Sequence, residues 1–273
     1  MALLTGCGSP PNSQQGENVD TLSQLYANTA ASDSGRFYLD PAILPDAKAV
    51  SDSILRSGAE YDETLVNPRD RVEDYLLNRD KEALNLGVYL ADALYLNGYD
   101  KSSDYINYSL VCRRLSEELG INQELGDEIS RRLEINLGNR DSIFAILNEY
   151  GGAMQTAMRE DDQEMTASLV TAGSLAESLH ILVSIPADLP PGDPARRAKA
   201  LEPIFRLVRL QQPAVQKTAE CLASYRDEAL TPLVQDLERL SATLKAIPAN
   251  AAKENDFKAA TSLIRKIRED VTR

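Results

Sequence analysis

The chain has no tryptophan, four phenylalanines, three cysteines and a single histidine in 273 residues. One histidine excludes a multi-histidine metal centre. Beyond Cys7, the cysteines Cys112 and Cys221 are far apart and have no Cys or His at zinc-ligand spacing, so no metal site is expected. Both fall in helical patterns, where a small buried thiol is the common role, and they read as free core cysteines rather than a disulfide. Lys and Arg number 29 against 42 Asp and Glu, a net charge of −13. Phosphate binding needs a basic stripe, and the sequence has none, so a nucleic-acid partner is excluded. Enzyme motifs are missing too: there is no P-loop, no Gly-x-Ser-x-Gly elbow, no Gly-x-Gly-x-x-Gly turn and no His-Glu-x-x-His helix. No cofactor and no catalytic residue is assigned, and a hydrolase is the minority reading. The longest apolar run, Leu169 to Ile185, contains Glu177 and His180, which makes it a core helix rather than a membrane span. Alternating strand patterns and Asn-Gly hairpin signals are also lacking, which leaves an all-α fold.

What is present begins with Leu3-Leu4-Thr5-Gly6-Cys7-Gly8. Leu4-Thr5-Gly6-Cys7 resembles the lipobox that ends a bacterial lipoprotein signal peptide. The resemblance implies lipidation at Cys7 and a place in the cell envelope, facing the periplasm or the cell surface. Two or three acyl chains, at roughly 0.8 kcal/mol per buried methylene, anchor a protein stably where one does not. Met1-Ala2 provides only a stub of an export signal, so a longer upstream signal is expected. Gly8 to Gly16 is a polar, flexible spacer of the kind a tethered domain needs. Residues 1–18 are accordingly read as signal remnant, lipobox and spacer, and 19–273 as a helical domain.

Within that domain, Val19 to Ala31 reads as a short helix and Gly35 to Pro45 as an irregular connection. Asp46 caps a helix to about Ala59, and Asn67-Pro68 reads as an N-cap with proline at the first helical position. A further helix spans Lys81 to Asn97 and is expected to end at Gly98. The next carries Tyr105, Tyr108, Cys112, Leu115 and Leu119 on one stripe and stops at Gly120. Ile121, Leu125, Ile129, Leu133 and Leu137 form a stripe, as do Ile143, Ile146, Leu147, Tyr150 and Met154. A helix from Asp162 to Ile185 precedes the proline-rich interruption Pro186 to Pro194. The remaining helices run from Ala195 to Gln212, from Pro213, from Thr231-Pro232 and from Asn255, the last with Phe257, Ala260, Ile264, Ile267 and Val271 at heptad spacing. The architecture is a multi-helix antiparallel bundle.

Leu90-Ala-Asp-Ala-Leu-Tyr-Leu96 aligns with Leu175-Ala-Glu-Ser-Leu-His-Ile181 at an offset of 85 residues. The match admits a division into two related sub-bundles, 66–160 and 161–273. Each copy carries one carboxylate in an otherwise apolar setting, Asp92 in the first and Glu177 in the second. Such a group needs a proton, a Tyr or Ser hydroxyl, or a cation, for Asp92 an Arg such as Arg113 or Arg114 of the next helix. Tyr89, Asp92, Tyr95, Glu177 and His180 are then the candidate polar lining of an interhelical cleft. The alternative is a buried network that fixes helix register.

Ala83 to Tyr95, Cys112-Arg-Arg-Leu-Ser-Glu-Glu-Leu-Gly-Ile121 and Ala172-Gly-Ser-Leu-Ala-Glu177 together resemble a group of helical lipoproteins of Bacteroidetes-type bacteria. The resemblance implies an envelope location and a helical fold, and it brings no catalytic residue with it. The expectation is a lipid-anchored, membrane-associated, acidic helical protein that acts as a binding or scaffolding module for an envelope protein partner. The alternative is a small-ligand-binding protein using the cleft around Asp92 and Glu177.

Overall fold

The computed structural model describes residues 47–121, 123–160, 163–188, 193–248 and 254–273. The lipobox with Cys7, the spacer, the Val19 to Ala31 helix and the connection to Pro45 lie outside the described residues. Among the described residues there are helices and no strands, so the fold is all-α.

The helices are α1 (Ala47–Ser57), the single-turn α2 (Val72–Tyr75), α3 (Arg79–Gly98), α4 (Ser102–Glu118), α5 (Gln123–Ile135), α6 (Arg140–Glu160), α7 (Glu164–Asp188), α8 (Pro194–Leu210), α9 (Gln212–Ser224), α10 (Thr231–Ala246) and α11 (Lys258–Val271). α3 and α7 form the centre. α4 packs on α3, α9 and α11 pack on α7, and one continuous apolar core runs through all of these helices. The apolar run of α7 is long enough to cross a membrane, but most of it is buried by its neighbours. Hydrophobic burial on this scale is the main stabilising term for such a bundle.

Local sequence sets most boundaries. Asn78 is extended at φ −145°, ψ 115°, and its side chain accepts from the N–H groups of Asp80 and Lys81 at 2.9 and 3.0 Å, which starts α3. α4 closes where expected: Gly120 sits at φ 69°, and its N–H and that of Ile121 donate to the carbonyls of Glu117 and Ser116. The buried stripes of α4 and α11 also fall on the expected residues.

α3 ends at Gly98, as expected, and the left-handed residue two positions on is Asp100, at φ 56°. A Cβ on Gly98 would lie 2.3 Å from Ser51 Oγ of α1. Three expectations are corrected. Asn67-Pro68 does not cap a long helix: Pro68 is extended, a 3-10 turn follows at Arg69–Arg71, and α2 ends after one turn. The proline-rich break does not begin at Pro186, which α7 carries within its last turn. Leu137 lies beyond the end of α5 and is exposed.

α3 and α7 run parallel. Arg79 Nη2 donates to Gln163 Oε1 at 3.3 Å, Gly87 abuts Val170 and Ser174, and Asp92 meets Glu177. The partner numbers rise together along both helices, always about 85 residues apart. This is the offset of the sequence repeat, so the two copies lie side by side and each acid meets its own counterpart. α11 runs the opposite way, with Arg268 level with Glu177 and Val271 further down, beside Asn85.

Candidate functional site

Asp92 on α3 and Glu177 on α7 are both 0% exposed. Glu177 is paired with Arg268 of α11: Nε donates to Oε2 at 3.0 Å and Nη2 to Oε1 at 3.4 Å. The guanidinium closes the cluster on its outer side and keeps 20% of its surface in solvent. Asp92 Oδ2 accepts from the backbone N–H of Asn67 at 3.0 Å, while Asp92 Oδ1 has no donor among the described residues. The group beside it is the Glu177 carboxyl. Burial first, and then the Glu177 charge, raise the Asp92 carboxyl well above the usual carboxylate range. Burial raises Glu177 as well, against the opposing pull of Arg268.

Neither Arg113 nor Arg114, the cations offered for Asp92, pairs with it. Arg113 pairs with Glu117 and Asp127, and Arg114 with Glu73, all at the surface. These positions are consecutive on α4, and the inward face of that helix is taken by Cys112 and Leu115. The cation that serves the cluster is Arg268, 91 residues beyond Glu177, and nothing in the local pattern of either acid points to it.

The tyrosines have a different role from the one their spacing suggests. Residues 58–71 are largely non-helical and lie against α3 and α4, with Leu65, Val66 and Asn67 buried. Buried irregular backbone leaves carbonyls that no helix satisfies. Tyrosine hydroxyls donate to them: Tyr99 to Ala59 at 2.9 Å, Tyr108 to Asn67 at 2.9 Å and Tyr89 to Pro68 at 2.8 Å. Tyr95 Oη accepts from the Asp62 N–H at 3.1 Å. Tyr75 links Asn67 to the far end of the chain, accepting from Asn67 Nδ2 at 3.1 Å and donating to the Thr272 carbonyl at 3.2 Å. Asn85 Nδ2 donates to the Val271 carbonyl at 3.0 Å. Rings also meet edge to face, Tyr89 with Tyr108 and Tyr95 with Tyr99.

Of the five residues expected to line a cleft, Asp92 and Glu177 come together in one cluster. Tyr89 and Tyr95 turn their hydroxyls to the 58–71 segment. His180 is one turn along α7 and partly exposed, with Nδ1 buried and without a partner among the described residues. Burial, and then the positive charges of Arg268 and Arg265, push its imidazole down to about 4, so it is neutral at physiological pH. Asn67, Tyr75 and Arg268 are the members of the network that sequence reading missed. Cys112 and Cys221 are both buried and not joined in a disulfide; Cys221 Sγ lies 3.1 Å from Ser168 Oγ, and burial pushes the Cys112 thiol up, away from reactivity. Among the described residues, no three His, Cys, Asp or Glu side chains gather as a metal-ligand set.

The cluster binds protein to protein. It ties α3, α7, α11 and the 58–71 segment together through one ion pair, one buried acid and a set of hydroxyl bonds. No family model matches the chain, and neither curated proteins nor solved structures give a match.

Proposed function

We propose that this protein is a lipid-anchored envelope protein whose helical body acts as a binding or scaffolding module through its outer surface. The tether is supported by Leu4-Thr5-Gly6-Cys7 and the polar spacer after it. The observation that carries the choice of an outer surface over an internal site is the complete enclosure of Asp92 and Glu177, whose partners are the protein's own Asn67 and Arg268. A small-ligand or hydrolase site built on these acids requires α3, α7 and α11 to part before substrate could reach either carboxyl. A surface module requires no such opening, and the buried network then serves to hold that surface in one shape.

The test is fractionation of the protein expressed in a bacterial host behind a complete lipoprotein signal. The expected result is recovery with membranes and release by detergent, with Cys7→Ser moving the protein to the soluble fraction. Membrane association that survives Cys7→Ser overturns the anchor. Native mass spectrometry of the detergent-released protein decides the second part. A protein partner retained on the folded chain supports the module, whereas a small molecule lost on Asp92→Asn overturns it in favour of an internal ligand site.

A further inference from the structure

Ionisable groups on several neighbouring elements feel the charge of Asp92. Glu177 approaches from α7, with Arg268 of α11 behind it. The 58–71 segment contributes the Asn67 N–H and the Tyr61 hydroxyl, α4 contributes Tyr108 and Cys112, and α3 itself contributes Tyr89. From α2, Tyr75 lies within electrostatic reach of Arg268. Among these groups the cation is Arg268, and both oxygens of Glu177 already accept from it. Two enclosed carboxyls therefore share one guanidinium, and Asp92 Oδ1 lacks a donor.

If both acids were ionised, the second charge would be buried, uncompensated and beside a charge of its own sign. A proton on Asp92 removes each difficulty. Its Oδ1–H donates to the Glu177 carboxylate, Oδ2 still accepts from Asn67, and the three side chains together are neutral. We propose that Asp92 and Glu177 hold one proton between them, carried on Asp92, and that this proton is a latch through which pH controls the docking of α11 and the Asn67 turn on α3 and α7.

The mechanism follows from what the proton joins. Removing it leaves Oδ1 without a hydrogen bond and sets two carboxylates against each other. Arg268 is the part of the cluster that reaches solvent, so the strain is relieved by α11 lifting and water entering behind it. The same helix carries the Val271 and Thr272 carbonyls that bind Asn85 and Tyr75, so the last turn is released with it. Because burial raises the Asp92 pKa in the folded state, the stabilisation is complete below the ordinary carboxylate range. It is lost as pH rises through the folded-state value.

The experiment is equilibrium unfolding of the whole chain from about pH 5 to about pH 9, with hydrogen exchange of residues 258–273 followed by mass spectrometry and corrected for intrinsic rates. Wild type should lose stability with rising pH at a slope of up to one proton, and α11 should lose protection in step. Asp92→Asn keeps both hydrogen bonds, since its amide donates to Glu177 and accepts from Asn67, and has no proton to lose. It should flatten that slope and keep α11 protected at high pH. Equal slopes in the two proteins overturn the proposal. A reading independent of the variant is the carboxyl signal of the wild type labelled with ¹³C-aspartate. One aspartate should titrate well above the ordinary carboxylate range, and a spectrum in which every aspartate titrates within that range overturns the proposal even if the variant fails to fold.

Discussion

Gly87 and Gly173 each press on the backbone of the other's helix. A Cβ on Gly87 would stand 1.9 Å from the Val170 carbonyl oxygen, and one on Gly173 would stand 1.8 Å from that of Leu84. Each glycine thus meets the carbonyl three residues before the other, a reciprocal contact that fits the paired repeat. The close approach fixes the helix separation, and it places Asp92 opposite Glu177 a little over one turn later.

Gly87→Ala or Gly173→Ala should therefore destabilise the protein. The obstructing atoms are backbone, so no side chain can swing aside and the helices must separate. A gain of about 1 kcal/mol in helix propensity is outweighed by an overpacking cost of about 3 kcal/mol or more. Urea unfolding checks this, and a Gly87→Ala protein as stable as wild type would show that the two backbones do not touch.

Arg268→Ala should cost about 3–5 kcal/mol, because it leaves Glu177 buried without its counter-charge. Pairing Arg268→Met with Glu177→Gln should restore most of that loss, since the charge and its partner then leave together. A double-mutant cycle measures the coupling. Additive losses from the two single changes would separate the residues energetically.

Tyr108→Phe and Tyr89→Phe should each cost about 1–3 kcal/mol, the penalty for a buried carbonyl deprived of its donor. Tyr95 provides the contrast: its hydroxyl accepts from the Asp62 N–H at 3.1 Å and lies 3.5 Å from the Asp62 carbonyl, both longer than the Tyr108 and Tyr89 bonds, so Tyr95→Phe should cost less. Thermal unfolding ranks the three variants. A Tyr95→Phe loss as large as that of Tyr108→Phe would contradict this account of the 58–71 segment.

His180 should weaken the fold on the acid side. Its folded-state pKa is lowered from 6.5 to about 4, so the unfolded chain binds the proton more readily. The stability it contributes is present above pH 6.5 and lost as pH falls through about 4. For a partly exposed ring that amounts to about 1–2 kcal/mol after solvent screening. His180→Gln should flatten the acid limb of the stability profile without changing the alkaline loss ascribed to Asp92. An unchanged acid limb would place His180 in a freely solvated position.

Helix type and span were legible wherever the signal is local. The Tyr105 to Leu119 stripe on α4, the heptad of α11 and the stop at Gly120 need only near-neighbour periodicity and backbone sterics, and the structure has them all. Gly98 is the last residue of α3, as read, but the residue with positive φ is Asp100. A glycine needed for close contact cannot be told from one needed for positive φ until the Ser51 side chain is in place.

The same division holds inside the cluster. The sequence by itself determined that Asp92 and Glu177 would be enclosed, since each is the lone charge in an apolar helical stretch, and it marked them as equivalent through the 85-residue repeat. Tertiary structure decided that the equivalents would touch, that Arg268 rather than Arg113 or Arg114 would provide the cation, and that the tyrosines would serve the backbone of the 58–71 segment. Burial follows from the pattern of a single helix, because the hydrophobic effect acts on each face separately. A partner for a buried charge is chosen by where distant helices cross, and here the crossing is set by two glycines whose contact appears only once the chain has folded.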